Sequence, residues 1–65
     1  MCESKIVVRR DSGEEVLADE VAALKPGEAK AYLVDGRVVD LSGYTIELID
    51  FIRHRVYVKP AGGRS

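Results

Sequence analysis

Turn signals recur at short intervals and divide the chain into short segments. Asp11-Ser12-Gly13, Pro26-Gly27, Asp35-Gly36, Ser42-Gly43 and Pro60 mark the breaks. Gly supplies positive φ, Pro fixes φ and removes a donor, and Asp or Ser bonds its own backbone nearby. What lies between the breaks is rich in residues that suit a pleated surface. Nine Val, four Ile and one Thr are β-branched and stiff at χ1. Lys5 to Arg10 reads as a first strand around Ile6, Val7 and Val8. Glu14 to Ala18 reads as a second, interrupted by Asp19-Glu20 and continued or bent over Val21 to Lys25. A helix over Glu14 to Leu24 competes with that reading, because Val16, Leu17, Val21 and Leu24 also fit helical spacing.

Lys30 to Val34 and Arg37 to Leu41 read as a hairpin across Asp35-Gly36, a pair suited to a type I′ turn with positive φ at both central residues. Tyr44 to Asp50 alternates Thr45 and Glu47 against Ile46 and Leu48, as a half-buried strand does. Phe51 to His54 is a turn without Gly or Pro. Arg55 to Lys59 is the last strand, with Val56 and Val58 on one face and Tyr57 on the other. The expected fold is therefore all-β: a small, strongly bent antiparallel sheet or half-barrel of five to six short strands. Residues 1–59 form its single domain, and 60–65 a flexible tail.

Size limits function. A chain of 65 residues buries only about 60% of its unfolded surface. It cannot enclose an active site of its own, and a catalytic cleft would need a second chain. One cysteine excludes an intrachain disulfide framework. A metal, oligomerisation or high packing quality remains as a staple, and a homodimer is expected. Ten basic and eleven acidic residues give a net charge of −1, so neither a strongly basic nucleic-acid binder nor a polyacidic tail is present. No apolar run is long enough to span a membrane. The start carries no charged region followed by an apolar stretch, so no signal peptide is expected and the cytoplasm is the default.

Cys2 is the residue with the most chemical content. If Met1 is trimmed, the free amine and the thiolate of Cys2 close a five-membered chelate ring on a metal. If Met1 stays, its amine, the Cys2 amide and the thiolate offer two fused rings. Planar nitrogen–sulfur sets of this kind suit Ni(II) or Cu(II). The plain alternative is a small apolar residue at a strand entrance. His54, the single histidine, is a surface residue or a neighbour of a metal held elsewhere. The acids between Asp11 and Glu20 read as a solvated face. Arg53, Arg55, Lys59 and Arg64 with Tyr57 form a faint nucleic-acid signal. No phosphate-binding glycine loop and no nucleophile–base pair is present, so no enzyme activity is expected.

Three stretches carry a resemblance: Met1-Cys2-Glu3-Ser4-Lys5-Ile6-Val7-Val8, Asp19-Glu20-Val21-Ala22, and Glu47-Leu48-Ile49-Asp50-Phe51-Ile52-Arg53-His54-Arg55-Val56. Together they resemble the CooT family, small nickel-binding proteins associated with maturation of nickel-dependent carbon monoxide dehydrogenase. The resemblance spans residues 1–59. It implies an Sm-like bent sheet, a homodimer, and Ni(II) held by Cys2 near the dimer axis. The partners it implies are a second copy and a nickel enzyme such as carbon monoxide dehydrogenase or its maturation factors. Nucleic acid is not the expected partner, although a small Sm-like RNA-binding module is the alternative reading. The chain has no His-rich tail, so bulk nickel storage is not expected.

Overall fold

The computed structural model of the chain describes residues 4–61. Six strands form one curled sheet: β1 (Ser4–Arg10), β2 (Gly13–Lys25), β3 (Lys30–Leu33), β4 (Val38–Asp40), β5 (Tyr44–Asp50) and β6 (Arg55–Pro60). Their order across the sheet is β4-β3-β2-β1-β6-β5. A single 3₁₀ turn, Pro26–Glu28, joins β2 to β3. The expected all-β half-barrel is what the chain forms. One pairing departs from a purely antiparallel sheet, because β1 and β6 run parallel, with Ile6 opposite Val56 and Val8 opposite Val58. That pairing joins the two ends of the sequence. No helix among the described residues is long and apolar enough to cross a membrane.

The competing helix over Glu14 to Leu24 does not form; β2 is one continuous strand of 13 residues. Its register shifts against β1 on both sides of Ile6, and against β3 between Val21 and Ala23. Each shift places an extra residue on β2, and bulges of this kind bend a strand and increase its twist. Glu20 absorbs part of the bend by taking φ 56°. The Asp19-Glu20 interruption expected from sequence is therefore a bulge inside a strand, and it curls the sheet around its own concave face.

That concave face holds the core. Ile6 and Val8 of β1, Ala18 and Val21 of β2, Ala31 and Leu33 of β3, and Val56 and Val58 of β6 pack together with Leu41. Val7 and Tyr57 are buried on the opposite, convex face. The guanidinium of Arg9 lies over the Tyr57 ring, 4.7 Å from its centroid.

The β3–β4 turn differs from the type I′ expectation. Leu33 C=O accepts from Gly36 N–H at 3.0 Å, and Leu33 N–H donates to Arg37 C=O at 2.8 Å. Positive φ is confined to Gly36, at 96°, with Asp35 on the ordinary side. The loop is therefore Val34-Asp35-Gly36, a three-residue hairpin in which glycine closes the turn. Asp35 favours it by accepting from Arg37 N–H at 3.0 Å and Arg37 Nε at 2.7 Å. The chain end is also tied further along than the sequence indicates. Pro60 pairs with Tyr44 in β6, and Ala61 N–H donates to Gly43 C=O at 2.9 Å.

Candidate metal centre

Cys2 lies outside the described residues, two positions before β1 in sequence. What the structure defines is the end of the sheet where β1 begins. Ser4 pairs there with Val21 of β2, and Lys5 with Arg55 of β6. Lys5 N–H donates to His54 C=O at 3.0 Å. The single imidazole thus belongs to the turn bonded to the strand that follows Cys2. His54 itself is exposed and holds φ 58°. Histidine tolerates that left-handed region better than β-branched residues do. Here it takes the place that glycine fills in other turns.

The turn before it is held by Asp50. Its Oδ1 accepts from Ile52 N–H and Arg53 N–H, each at 3.0 Å, and its Oδ2 faces Arg53 Nη1 at 3.5 Å. The Arg53 N–H is the largest influence on the Asp50 carboxyl; burial opposes it, and the Ile52 N–H and the Arg53 guanidinium add to it, so the carboxyl is held below its ordinary range. The result is a fixed turn that leaves Phe51 and Ile52 pointing away from the core, 78% and 89% exposed. Beside it runs an apolar groove of about 260 Å³, lined by Ser4, Ala22, Ala23, Leu24, Phe51 and Val56 among others.

Among the described residues no group of three or more His, Cys, Asp or Glu side chains converges as a metal cage. The acids between Asp11 and Glu20 are spread along an exposed surface. Glu14 pairs with Arg9 at 3.1 Å and Glu15 with Arg10 at 3.8 Å, both with exposed side chains. They behave as the solvated face expected of them.

The residues behind the nucleic-acid signal are engaged elsewhere. Arg53 faces Asp50, Lys59 Nζ lies 3.8 Å from Glu47, and Arg55 Nη1 donates to the Tyr57 hydroxyl at 3.4 Å. Tyr57 is only 9% exposed beneath Arg9, so its ring offers no open platform for a base. Arg64 lies outside the described residues.

Sequence reasoning missed the apolar groove and the exposed Phe51-Ile52 pair. The signal for the pair was in plain view: two large apolar residues inside a segment already read as a turn. The groove had none, because it depends on how β2 bends.

No family model matches the chain, and no curated protein matches it by sequence. Among solved structures, the chain matches a crystal structure from Carboxydothermus hydrogenoformans provisionally assigned as CooT. The TM-score is 0.79 at 19% identity, covering 94% of this chain and 100% of the other. Over nearly its whole length, the chain has the fold of that CooT protein.

Proposed function

We propose that the chain is a cytoplasmic, non-catalytic nickel(II)-binding accessory protein. It serves maturation of a nickel enzyme such as carbon monoxide dehydrogenase, with the metal held by Cys2 at a homodimer axis. The observation that carries this reading is the full-length fold likeness to the Carboxydothermus protein in a chain that opens Met1-Cys2. Nickel is cargo here, bound and released without chemical change. The donor chemistry fits. After removal of Met1, one Cys2 supplies an amine nitrogen and a thiolate sulfur. Two copies supply two of each, the four donors that a planar Ni(II) thiolate site uses. Closed two-fold symmetry gives each chain start an equivalent across the axis. With Met1 retained, each chain offers three donors alone, and the stoichiometry rises toward one metal per chain.

The test is a nickel titration followed by absorbance, with the N-terminus defined by mass spectrometry. A thiolate-to-nickel charge-transfer band should grow with added metal and be absent in Cys2→Ser. Binding releases protons from thiol and amine, so it should weaken as pH falls. A band that persists in Cys2→Ser, or no band in the wild-type chain, refutes the proposal.

A further inference from the structure

The convex face of the sheet carries an apolar row that crosses four strands. Val16 of β2 lies opposite Val7 of β1, Val7 opposite Tyr57 of β6, and Tyr57 opposite Leu48 of β5. Residues paired in this way share a face. Val7 and Tyr57 in the middle are buried, whereas Val16 and Leu48 at the two ends are 53% and 49% exposed.

Two cations beside that row lack an acidic neighbour. Arg9, Arg10, Lys25, Arg37, Arg53 and Lys59 each face a carboxylate at 3.9 Å or less. Among the described residues Lys5, Lys30 and Arg55 do not. Lys5 and Arg55 are also partners in the β1–β6 ladder. With Val7, Glu14, Glu15 and Val16 they line a hollow of about 220 Å³. Glu14 and Glu15 are the carboxylates that face Arg9 and Arg10, so the charge left over in the hollow is positive. Arg55 is steadied there, because its Nη1 donates to the Tyr57 hydroxyl at 3.4 Å. Its other guanidinium N–H groups remain for a ligand, in a planar set that matches a carboxylate. From these residues we infer that the convex face docks an acidic segment of another protein. A carboxylate of that segment sits between Lys5 and Arg55, an aliphatic side chain packs on Val16, and the segment runs on toward Leu48.

The chemistry favours a protein over a nucleic acid. Val16 and Leu48 are aliphatic and give a base nothing to stack on, and the Tyr57 ring lies under Arg9. The exposed Glu14 and Glu47 on the same face oppose a continuous run of phosphates. The hollow is also separate from the apolar groove. Ser4 lines the groove and Lys5 the hollow, and neighbours along a strand point to opposite faces. The inference deepens the proposed accessory role, on which it rests for who the partner is, by giving the chemistry of the partner's contact.

The experiment titrates a blocked peptide that alternates Glu with Leu into the isotope-labelled full chain, with backbone amide shifts read by NMR. Saturable shifts should concentrate at Lys5, Val7, Val16 and Arg55. Arg55→Gln should weaken binding by about tenfold, as loss of a charge-assisted hydrogen bond does. Lys5→Gln and Val16→Ser should weaken it too, and the amide spectra report whether each variant is folded. Lys30→Gln, at the remaining unpaired cation on β3, should bind as wild type does. A peptide with Gln in place of Glu should bind about tenfold more weakly. Shifts that do not saturate overturn the inference. So does a loss in Lys30→Gln equal to that in Arg55→Gln, or equal binding of the Gln peptide. Tighter binding of single-stranded RNA or of phosphatidylglycerol vesicles at the same amides also overturns it. The nickel band of Arg55→Gln should match that of wild type, so failure of the docking face and failure of the nickel reading are told apart.

Discussion

Ile6 is the position where a small change should cost this fold most. It is 0% exposed, sits at the start of β1, and meets both β2 and β6. Ile6→Ala removes three carbons from the concave core, and at about 0.8 kcal/mol per buried carbon the transfer loss alone is about 2.4 kcal/mol. The residual cavity adds to this, giving a total of about 3–4 kcal/mol. A chain of 65 residues has a total stability of about 3–10 kcal/mol. The substitution should therefore remove a third or more of the stability and can unfold the protein outright. Ile6→Val removes one carbon and should cost about 1 kcal/mol. Val34→Ala, at a side chain 55% exposed, should stay within about 0.5 kcal/mol of wild type. The assay is urea unfolding followed by far-ultraviolet circular dichroism, with the midpoint shift read at constant slope. Measurements at several protein concentrations separate core effects from dimer linkage. A loss below about 1 kcal/mol in Ile6→Ala, or equal losses in Ile6→Val and Ile6→Ala, would refute the placement of Ile6 at the centre of the core.

Two further predictions concern the β5–β6 turn. The Asp50 carboxyl is held below its ordinary range by the turn N–H groups, so the folded state favours its ionised form. Its contribution is fully present above the unfolded value, about pH 4, and is lost as pH falls through the lower folded value. Asp50→Ala should flatten the acid limb of a melting-temperature profile, and an unchanged limb would count against the turn geometry. At His54, with φ 58°, His54→Val should destabilise by about 1–2 kcal/mol because a β-branched residue clashes in that region. His54→Gly should remain within about 1 kcal/mol of wild type. Thermal melts of the two variants check the ranking.

The fold was legible in the sequence wherever strands keep their alternation. Arg55 to Lys59 reads correctly because Val56 and Val58 face the concave side, whereas in Tyr44 to Asp50 Ile46 packs against the core but a bulge between Ile46 and Leu48 leaves Leu48 exposed. The stretch from Glu14 to Leu24 stayed ambiguous for a physical reason. Each bulge adds a residue, so the inward positions of β2 become Ala18, Val21 and Leu24, three apart rather than two apart. That spacing imitates one face of a helix. The Asp35-Gly36 turn was located but mistyped, because the pairing of Asp35 with Arg37 favours a loop one residue longer. His54 as the positive-φ residue was not legible, since local sequence alone does not demand it. Of the candidate site, the sequence supplies the thiol in Cys2, which lies outside the described residues, and the structure describes the end of the sheet where β1 begins.

The arrangement at that end of the sheet follows from one topological fact. Because β1 and β6 are parallel, both strands begin at the same end of the sheet. The turn that delivers the chain into β6 must then lie beside the start of β1, as the bond from Lys5 N–H to His54 C=O shows. Since β5 and β6 are an antiparallel hairpin, that turn carries Phe51 and Ile52 with it. The bent β2 contributes Ala22 and Ala23 to the same end through its pairing with β1 at Ser4. The β1 start, the turn that carries His54, the exposed Phe51-Ile52 pair and the apolar groove are thus gathered by pairing order rather than by proximity in sequence. An antiparallel β1–β6 pairing would have placed the β1 start opposite the Pro60 end, beside Gly43 and Ala61, where Arg9, Arg10, Asp11 and Lys59 now line a cleft. The parallel pair is therefore what brings the start of β1, the turn that carries His54 and the apolar groove to one end of the sheet.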